Sequence, residues 1–203
     1  MPHVRSTDRR VQKTRDLLHG ALASLIHEKS YDAIVVKEIL ARANVGRSTF
    51  YTHFRDKNEL LDSGIRDVLR ASETTASMRS TGSADWVLRF SLPVLEHIER
   101  YREASGSSVD TQRLAVVHER LQEVLVELIA YDLKRVGQRH QESERSLPCE
   151  LLARHVASTF LLVLNWWVER GEPLTSKKVN DLFRAMILPA VSEALSGGAI
   201  DAR

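Results

Sequence analysis

The sequence predicts an all-α protein of about nine helices, with an N-terminal three-helix helix-turn-helix domain followed by a helical bundle. Three observations carry this. Apolar residues recur three and four positions apart through the long segments of the 203-residue chain, the period of a helix with one buried stripe. The stretch Val36 to Lys57, VKEILARANVGRSTFYTHFRDK, reads as two short helices about a tight turn. Leu151 to Val168 is apolar on nearly every face, and such a helix needs neighbours all round.

Composition bounds the function classes. An apolar content of 43% can bury a sizeable core and is far from that of a disordered chain. The single Cys149 excludes an internal disulfide and fits a reducing cytoplasm. Met1 to Gly20 is charged throughout and lacks the apolar region of a signal peptide, so a cytoplasmic location is expected. The apolar run Val156 to Val168 is interrupted by Ser158, Thr159 and Asn165 and flanked by Arg154 and Glu169. It reads as too short and too polar to span a bilayer, and as buried core. Net charge is only +2, but residues 1–60 hold 11 Lys/Arg against 7 Asp/Glu, while residues 61–203 hold 18 against 20. The basic excess sits at the end that carries the helix-turn-helix pattern, as a duplex footprint requires.

In chain order, Met1 to Thr7 shows no periodicity and reads as a mobile arm; Arg5, Arg9 and Arg10 are either phosphate or minor-groove contacts or a basic tail without a role. Asp8 is the expected cap of a first helix with the stripe Val11, Leu18, Leu22, Leu25 and Ile26, ending before a Ser30-Tyr31-Asp32 turn. Ile34 and Val35 are expected to complete the small core. Val36, Ile39, Leu40 and Ala43 then form the inward stripe of the next helix. Asn44 tolerates the left-handed conformation that ends a helix, Val45 can plug the angle after it, and Gly46 is a weak N-cap for the following helix.

On that helix Phe50 and Phe54 lie one turn apart on the buried side, which leaves Arg47, Ser48, Thr49, Tyr51, Thr52 and His53 to point elsewhere. Arginine and small hydroxyl side chains near a helix N-terminus suit base edges in a major groove, with Tyr and His reaching phosphates. For any one of these residues a solvated face is the better reading; the run as a whole shifts the balance to double-stranded DNA. Asp56 is placed to cap a further helix, and Lys57 at its N-terminus is expected to hold a backbone phosphate.

The segment ANVGRSTFYTHFRDKNELL, with FYxHF followed by Asp-Lys-x-x-Leu, resembles the DNA-binding signature of the TetR family of bacterial transcriptional regulators. The resemblance spans Arg10 to Leu61. It implies a first helix packed over the helix-turn-helix, a dimer, and a palindromic operator. It also implies a domain division of 1–60 for DNA binding and 61–203 for ligand binding and dimerisation. Four residues depart from the family pattern: Val35 replaces the usual capping Thr, Asn44 and Gly46 flank Val45 where Gly-Val-Ser is usual, and Leu40 stands where Ala is common. Losing the Thr hydroxyl costs about 1 kcal/mol of cap stability and one backbone contact.

Further along, Leu60, Leu61, Ile65, Val68 and Leu69 predict a helix to about Ala76, and a composition change over Ser72 to Ser83 marks a hinge or loop. Trp86, Val87, Phe90, Val94, Ile98 and Tyr101 predict one helix bent in its middle by Pro93. After a loop over Arg102 to Val109, Leu114, Val117, Leu121, Val124, Leu125, Leu128 and Tyr131 predict a long amphipathic helix ended by Gly137. Pro148 starts the doubly apolar helix and Gly171-Glu172-Pro173 ends it. Val179, Leu182, Phe183, Met186, Ile187, Ala190, Val191 and Ala194 stripe the last, kinked at Pro189. So few helices cannot cover both of these faces, which points to a two-fold homodimer meeting through Phe160, Leu164, Trp167, Leu182, Phe183, Met186 and Val191. A monomeric bundle with the doubly apolar helix at its centre stays open.

The resemblance further implies an unknown small-molecule effector bound among the later helices. Trp86, Phe90, His97, Tyr101, His118, Tyr131, His155 and Trp166 combine apolar bulk with a polar edge and are the candidate lining. The histidines lie on different predicted helices without metal spacing, so neither a metal nor another cofactor is expected. No phosphate loop, GxSxG, HExxH or CxxC occurs, and no catalytic residue is assigned. The segment HVASTFLLVLNWWVERGEPLTSKKVNDLF is also similar to a TetR subgroup with a dihydroxyacetone-coactivator-like regulatory domain. The expected function is therefore a regulator, repressing until an effector releases it. The alternative is a coactivator or protein-interaction module that keeps the fold without effector-controlled repression.

Overall fold

The computed structural model describes residues 4–76, 83–105, 115–137, 148–170 and 173–196. All the regular elements among them are helical. The chain divides into two compact units: residues 1–65 with 110–118, and residues 66–109 with 119–203.

In the first unit, helix α1 runs Val4–Glu28, a 3-10 turn covers Tyr31–Ala33, and α2 (Val36–Ala43) and α3 (Arg47–His53) precede α4 (Lys57–Ala76), whose first residues belong here. Helix α1 begins at Val4, so Asp8 lies inside it rather than capping it, and only residues 1–3 of the expected arm fall outside the described residues. Nothing after Pro2 breaks a helix, and propensity carries it through the charged residues. Leu18, Leu22, Leu25, Ile26, Ile34, Ile39, Phe50, Phe54 and Leu60 form the core, with Val36, Leu40, Val45 and Ile65 packed on it. Two expected core residues are not part of it: Val11 and Val35 are exposed. The first-turn residues Val116 and Val117 of α7 (Ala115–Gly137) also pack on this core, which the stripe alone had placed wholly in the second domain.

Polar contacts fix α2 against α1. The Arg42 guanidinium pairs with both oxygens of Glu28 and donates to Ser24, and Lys29 meets Glu38 at 2.5 Å. Asn44 ends α2 at φ 51°, the left-handed geometry its residue type permits, and its amide returns to the α2 carbonyls.

The second unit contains α5 (Ser83–Val87), α6 (Ser91–Ser105), most of α7, α8 (Cys149–Arg170) and α9 (Ser176–Ser196). The helix expected to bend at Pro93 is instead two helices, broken at Leu88–Phe90. Pro93 sits in the first turn of α6, where a missing amide removes no ladder bond. Helix α9 packs against α5, α6 and α8. At their centre Phe90, Phe160 and Phe183 meet edge to face, with centroids 5.1, 5.3 and 6.3 Å apart. A buried ion pair joins Arg89 to Asp132, and the Arg89 guanidinium also lies 4.0 Å over the Trp86 ring and donates to the Trp86 carbonyl at 2.9 Å. Glu99 of α6 caps α9 by accepting from the Ser176 amide at 2.8 Å and its hydroxyl at 2.5 Å.

Helix α8 corrects the sequence reading of its length. Cys149–Glu169 is long and apolar enough to cross a membrane by length and composition alone. Its Leu152, Val156, Phe160, Leu161, Val163, Leu164 and Trp167 are nonetheless buried among the other helices, as in the core helix of a bundle.

Candidate nucleic-acid interface

Helix α3 is only seven residues long and holds its place through its aromatic residues. Phe50 is fully buried, Phe54 follows at the helix end with its ring 5.9 Å from that of Phe50, and the His19 ring of α1 stacks at 5.8 Å from Phe54. With that face committed, the helix has only one other side to present. Arg47, Ser48, Tyr51 and Thr52 are exposed on it, and Thr49 and His53 are half-buried. The Arg47 guanidinium lies 5.7 Å from the Tyr51 ring centroid, a cation–π distance that pre-orders two long side chains on one surface. The Thr52 hydroxyl donates to the Ser48 carbonyl at 3.0 Å, which uses its proton and leaves its oxygen lone pairs able to accept.

The entry to α2 is exposed as well. Val35 occupies the N-cap and is 54% exposed. Its side chain has no oxygen to offer, but Glu38 supplies the other half of a capping box by accepting the Val35 amide at 3.1 Å. That hydrogen bond, after the stronger one from Lys29, holds the Glu38 carboxyl below the usual glutamate range. Glu28 is lowered chiefly by its hydrogen bond from Arg42, which is raised in return.

At the start of α4 the Asp56 carboxylate accepts from the amides of Asn58 at 2.8 Å and Glu59 at 2.9 Å. Two of the amides that would draw a phosphate there are thus already engaged. Lys57, expected to hold a phosphate, is placed otherwise. Its ammonium donates to the carbonyls of Tyr31 and Ile34 at 2.9 Å and of Asp32 at 3.2 Å. No sequence signal marks those acceptors, since any residue supplies a carbonyl.

The sequence profile of the bacterial regulatory proteins of the tetR family matches residues 17–63, the span that contains α2 and α3. Residues 17–63 are thus similar to the DNA-binding segment of that family. The tetR-family segment is 40% identical over 60 residues to the HTH-type transcriptional regulator YxbF of Bacillus subtilis, covering 29% of this chain and 16% of that one. Over 72 residues it is 42% identical to an HTH-type transcriptional regulator of Mycobacterium bovis, covering 34% of this chain and 33% of that one. The matches therefore span a sixth and a third of those relatives. Solved structures extend the likeness to the whole fold. A TetR transcriptional regulator from Streptococcus agalactiae aligns over 91% of this chain and 99% of its own at TM-score 0.53 and 24% identity. A TetR-family regulator from Syntrophomonas wolfei aligns over 95% and 99% at TM-score 0.59 and 18% identity. The dihydroxyacetone kinase operon activator DhaS aligns over 91% and 97% at TM-score 0.51 and 16% identity. The tetR family is one of transcriptional regulators, not of enzymes.

The residues expected to line an effector site do not gather. Phe90 is locked in the aromatic trio, and Trp86 lies under Arg89 with Arg135 at 5.6 Å from its ring. His97, Tyr131 and His155 are exposed, Trp166 is half-buried, and His118 belongs to the first unit. The Tyr101 side chain lies outside the described residues. Among the described residues the best-formed depressions are open: one of about 490 Å³ along α9 and one of about 250 Å³ bounded by Arg66, Arg70, Glu127 and Tyr131, the last the only candidate lining residue in either.

The expected dimer face is also redrawn. Phe160, Leu164, Trp167, Phe183 and Val191 are buried within this one chain, and the Trp167 indole donates to the Leu174 carbonyl at 3.0 Å. The strongest apolar stripe of each helix faces its own bundle. Leu182 and Met186 do remain exposed, joined by Leu151 and Leu162, the latter 62% exposed.

Proposed function

We propose that the chain is a transcriptional regulator that reads duplex DNA through the outer face of α3, two copies acting together on a palindromic operator. The observation that carries this is the exposed set Arg47, Ser48, Tyr51 and Thr52 on a helix whose opposite side is anchored by Phe50 and Phe54, within the segment matched by the tetR family. Arg47 offers a bidentate fork to guanine, Ser48, Thr49 and Thr52 offer hydroxyl or methyl contacts to base edges, and Tyr51 and His53 flank them for phosphates. Such work takes place in the cytoplasm and needs no cofactor.

Pairing follows from what one short helix can read. Seven residues contact only a few base pairs, so two heads on a two-fold axis multiply specificity. The exposed Leu151, Leu162, Leu182 and Met186 on α8 and α9 support that pairing, because exposed apolar side chains on two adjacent helices suit an isologous contact. Repression relieved by a small molecule is the reading for control.

Selection of duplexes from a randomised pool, followed by footprinting, tests the proposal. An inverted repeat protected on both half-sites is expected. Recovery of no sequence at low salt, or protection of one unsymmetrical site, contradicts it and leaves the protein-interaction module as the better account.

A further inference from the structure

We propose that Lys57 is a positioning residue that clasps the two ends of the helix-turn-helix together, not one of its phosphate contacts. This rests on the DNA-binding reading and alters its list of contacts. The helix-turn-helix proper occupies residues 36–53. Lys57 lies just after it, and Tyr31, Asp32 and Ile34, whose carbonyls receive its ammonium at 2.9, 3.2 and 2.9 Å, lie just before it. An ammonium has three donors and no acceptor, so these carbonyls use its whole capacity. Its nitrogen is also 4.5 Å from the centroid of the buried Tyr31 ring.

The neighbouring residue closes the same junction from the other direction. The Tyr31 hydroxyl donates to Asn58 Oδ1 at 2.7 Å. Burial of Tyr31 and Ile34 in the core holds the side chains of this segment, and its backbone makes hydrogen bonds from Ala33 to Ser30 and from Ile34 to Tyr31, each at 3.1 Å, which leave the carbonyls of Tyr31, Asp32 and Ile34 to accept from Lys57. Immediately after it comes Val35, the cap of α2, whose own amide is taken by Glu38. Lys57 therefore fixes where α2 begins. The left-handed Asn44 and the buried Ile39 and Phe50 then fix α3 relative to α2. A phosphate could recruit Lys57 only by stripping a carbonyl of its donor, and Asp56 already takes two amides of the adjacent helix N-terminus.

The test is Lys57→Met in the full chain, measured by fluorescence anisotropy against the duplex that the unaltered chain selects from a randomised pool, across a series of salt concentrations and well below the melting temperature. A clasp predicts affinity reduced about tenfold or more with the slope of log K against log[salt] unchanged. A phosphate contact predicts a slope smaller in magnitude by about 0.9, which overturns the assignment while leaving the DNA reading intact. Unchanged affinity overturns it as well, since the residue is then purely structural. Failure of the unaltered chain to select any duplex overturns the DNA reading, and this role with it. Should Lys57→Met not fold, the unaltered chain labelled with 15N at lysine Nζ decides: a slowly exchanging ammonium signal, assigned by its loss in Lys57→Arg and unmoved by the duplex, is expected. A signal that is absent or that shifts on adding DNA contradicts the clasp.

Discussion

The carboxylate of Glu38 accepts the backbone amide of Val35 at 3.1 Å, so α2 is capped from its third residue although its N-cap residue has no side-chain oxygen. Half of a reciprocal capping box is in place and the other half is missing. Val35→Thr supplies it, since the position is exposed and its φ of −109° and ψ of 150° already suit a cap. Thermal unfolding should show a gain of about 1 kcal/mol. Unchanged or lower stability would mean that the exposed valine makes a contact worth as much as a cap.

The α1–α2 clamp makes stability depend on acid. Glu28 and Glu38 titrate below the ordinary glutamate value of 4.5, through Arg42 and Lys29 respectively, and Glu59 does so through the Arg55 amide. A carboxyl depressed in the folded state releases its proton more readily there than in the unfolded chain. Its stabilisation is complete above 4.5 and is lost as pH falls through the lower folded value. Burial likewise lowers His27 from 6.5, so a first decline is expected below that pH. Urea midpoints measured from pH 7 to 3 should fall in these two stages; His27→Gln should shrink the first, and His27→Gln with His97→Gln, the other histidine lowered from 6.5, should abolish it without changing the second.

The buried pair Arg89–Asp132 has a larger effect. Asp132→Ala leaves a guanidinium buried without its counter-charge and should cost about 3–5 kcal/mol by urea unfolding. The double change Arg89→Met with Asp132→Leu removes both charges and should recover most of that loss. A single variant as stable as the parent would place the pair in water instead of the core.

Gly20 lies inside α1, on an exposed position where an added Cβ meets nothing within 4 Å. Gly20→Ala should therefore raise stability by up to about 1 kcal/mol, the difference in helix propensity, with DNA affinity unaffected. A loss of affinity without a loss of stability would reveal a partner for that side of α1.

The exposed leucines of α8 and α9 bear on assembly. Leu162→Glu combined with Met186→Glu should convert a dimer to a monomer in sedimentation at micromolar concentration while helical content is retained. Retention of the dimer would put the interface elsewhere.

Much of the reading unit was legible because its determinants are local. The one-turn spacing of Phe50 and Phe54 identified the buried side of α3, and the residue type of Asn44 anticipated the left-handed stop. The misplaced residues depended on distant neighbours. Trp167 and Phe183 carry the apolar character of an interface, but which apolar face turns outward is decided by how α6, α8 and α9 pack. Tyr131 sits on an apparent core stripe yet is exposed, because Ile129, Asp132 and Leu133 turn inward instead, Asp132 accompanied by Arg89 from 43 positions away. Lys57 was the least legible: its acceptors are backbone carbonyls 23 to 26 residues upstream, and no side-chain pattern encodes them.

The most direct measurement is equilibrium binding of the unaltered chain and Arg47→Ala to the selected duplex and to variants of it changed one base pair at a time. Arg47→Ala should cost about 1–3 kcal/mol, roughly ten- to a hundredfold in affinity, and relax discrimination at one base pair of each half-site. Equal affinity and equal discrimination in the two proteins would contradict the claim that the outer face of α3 reads DNA.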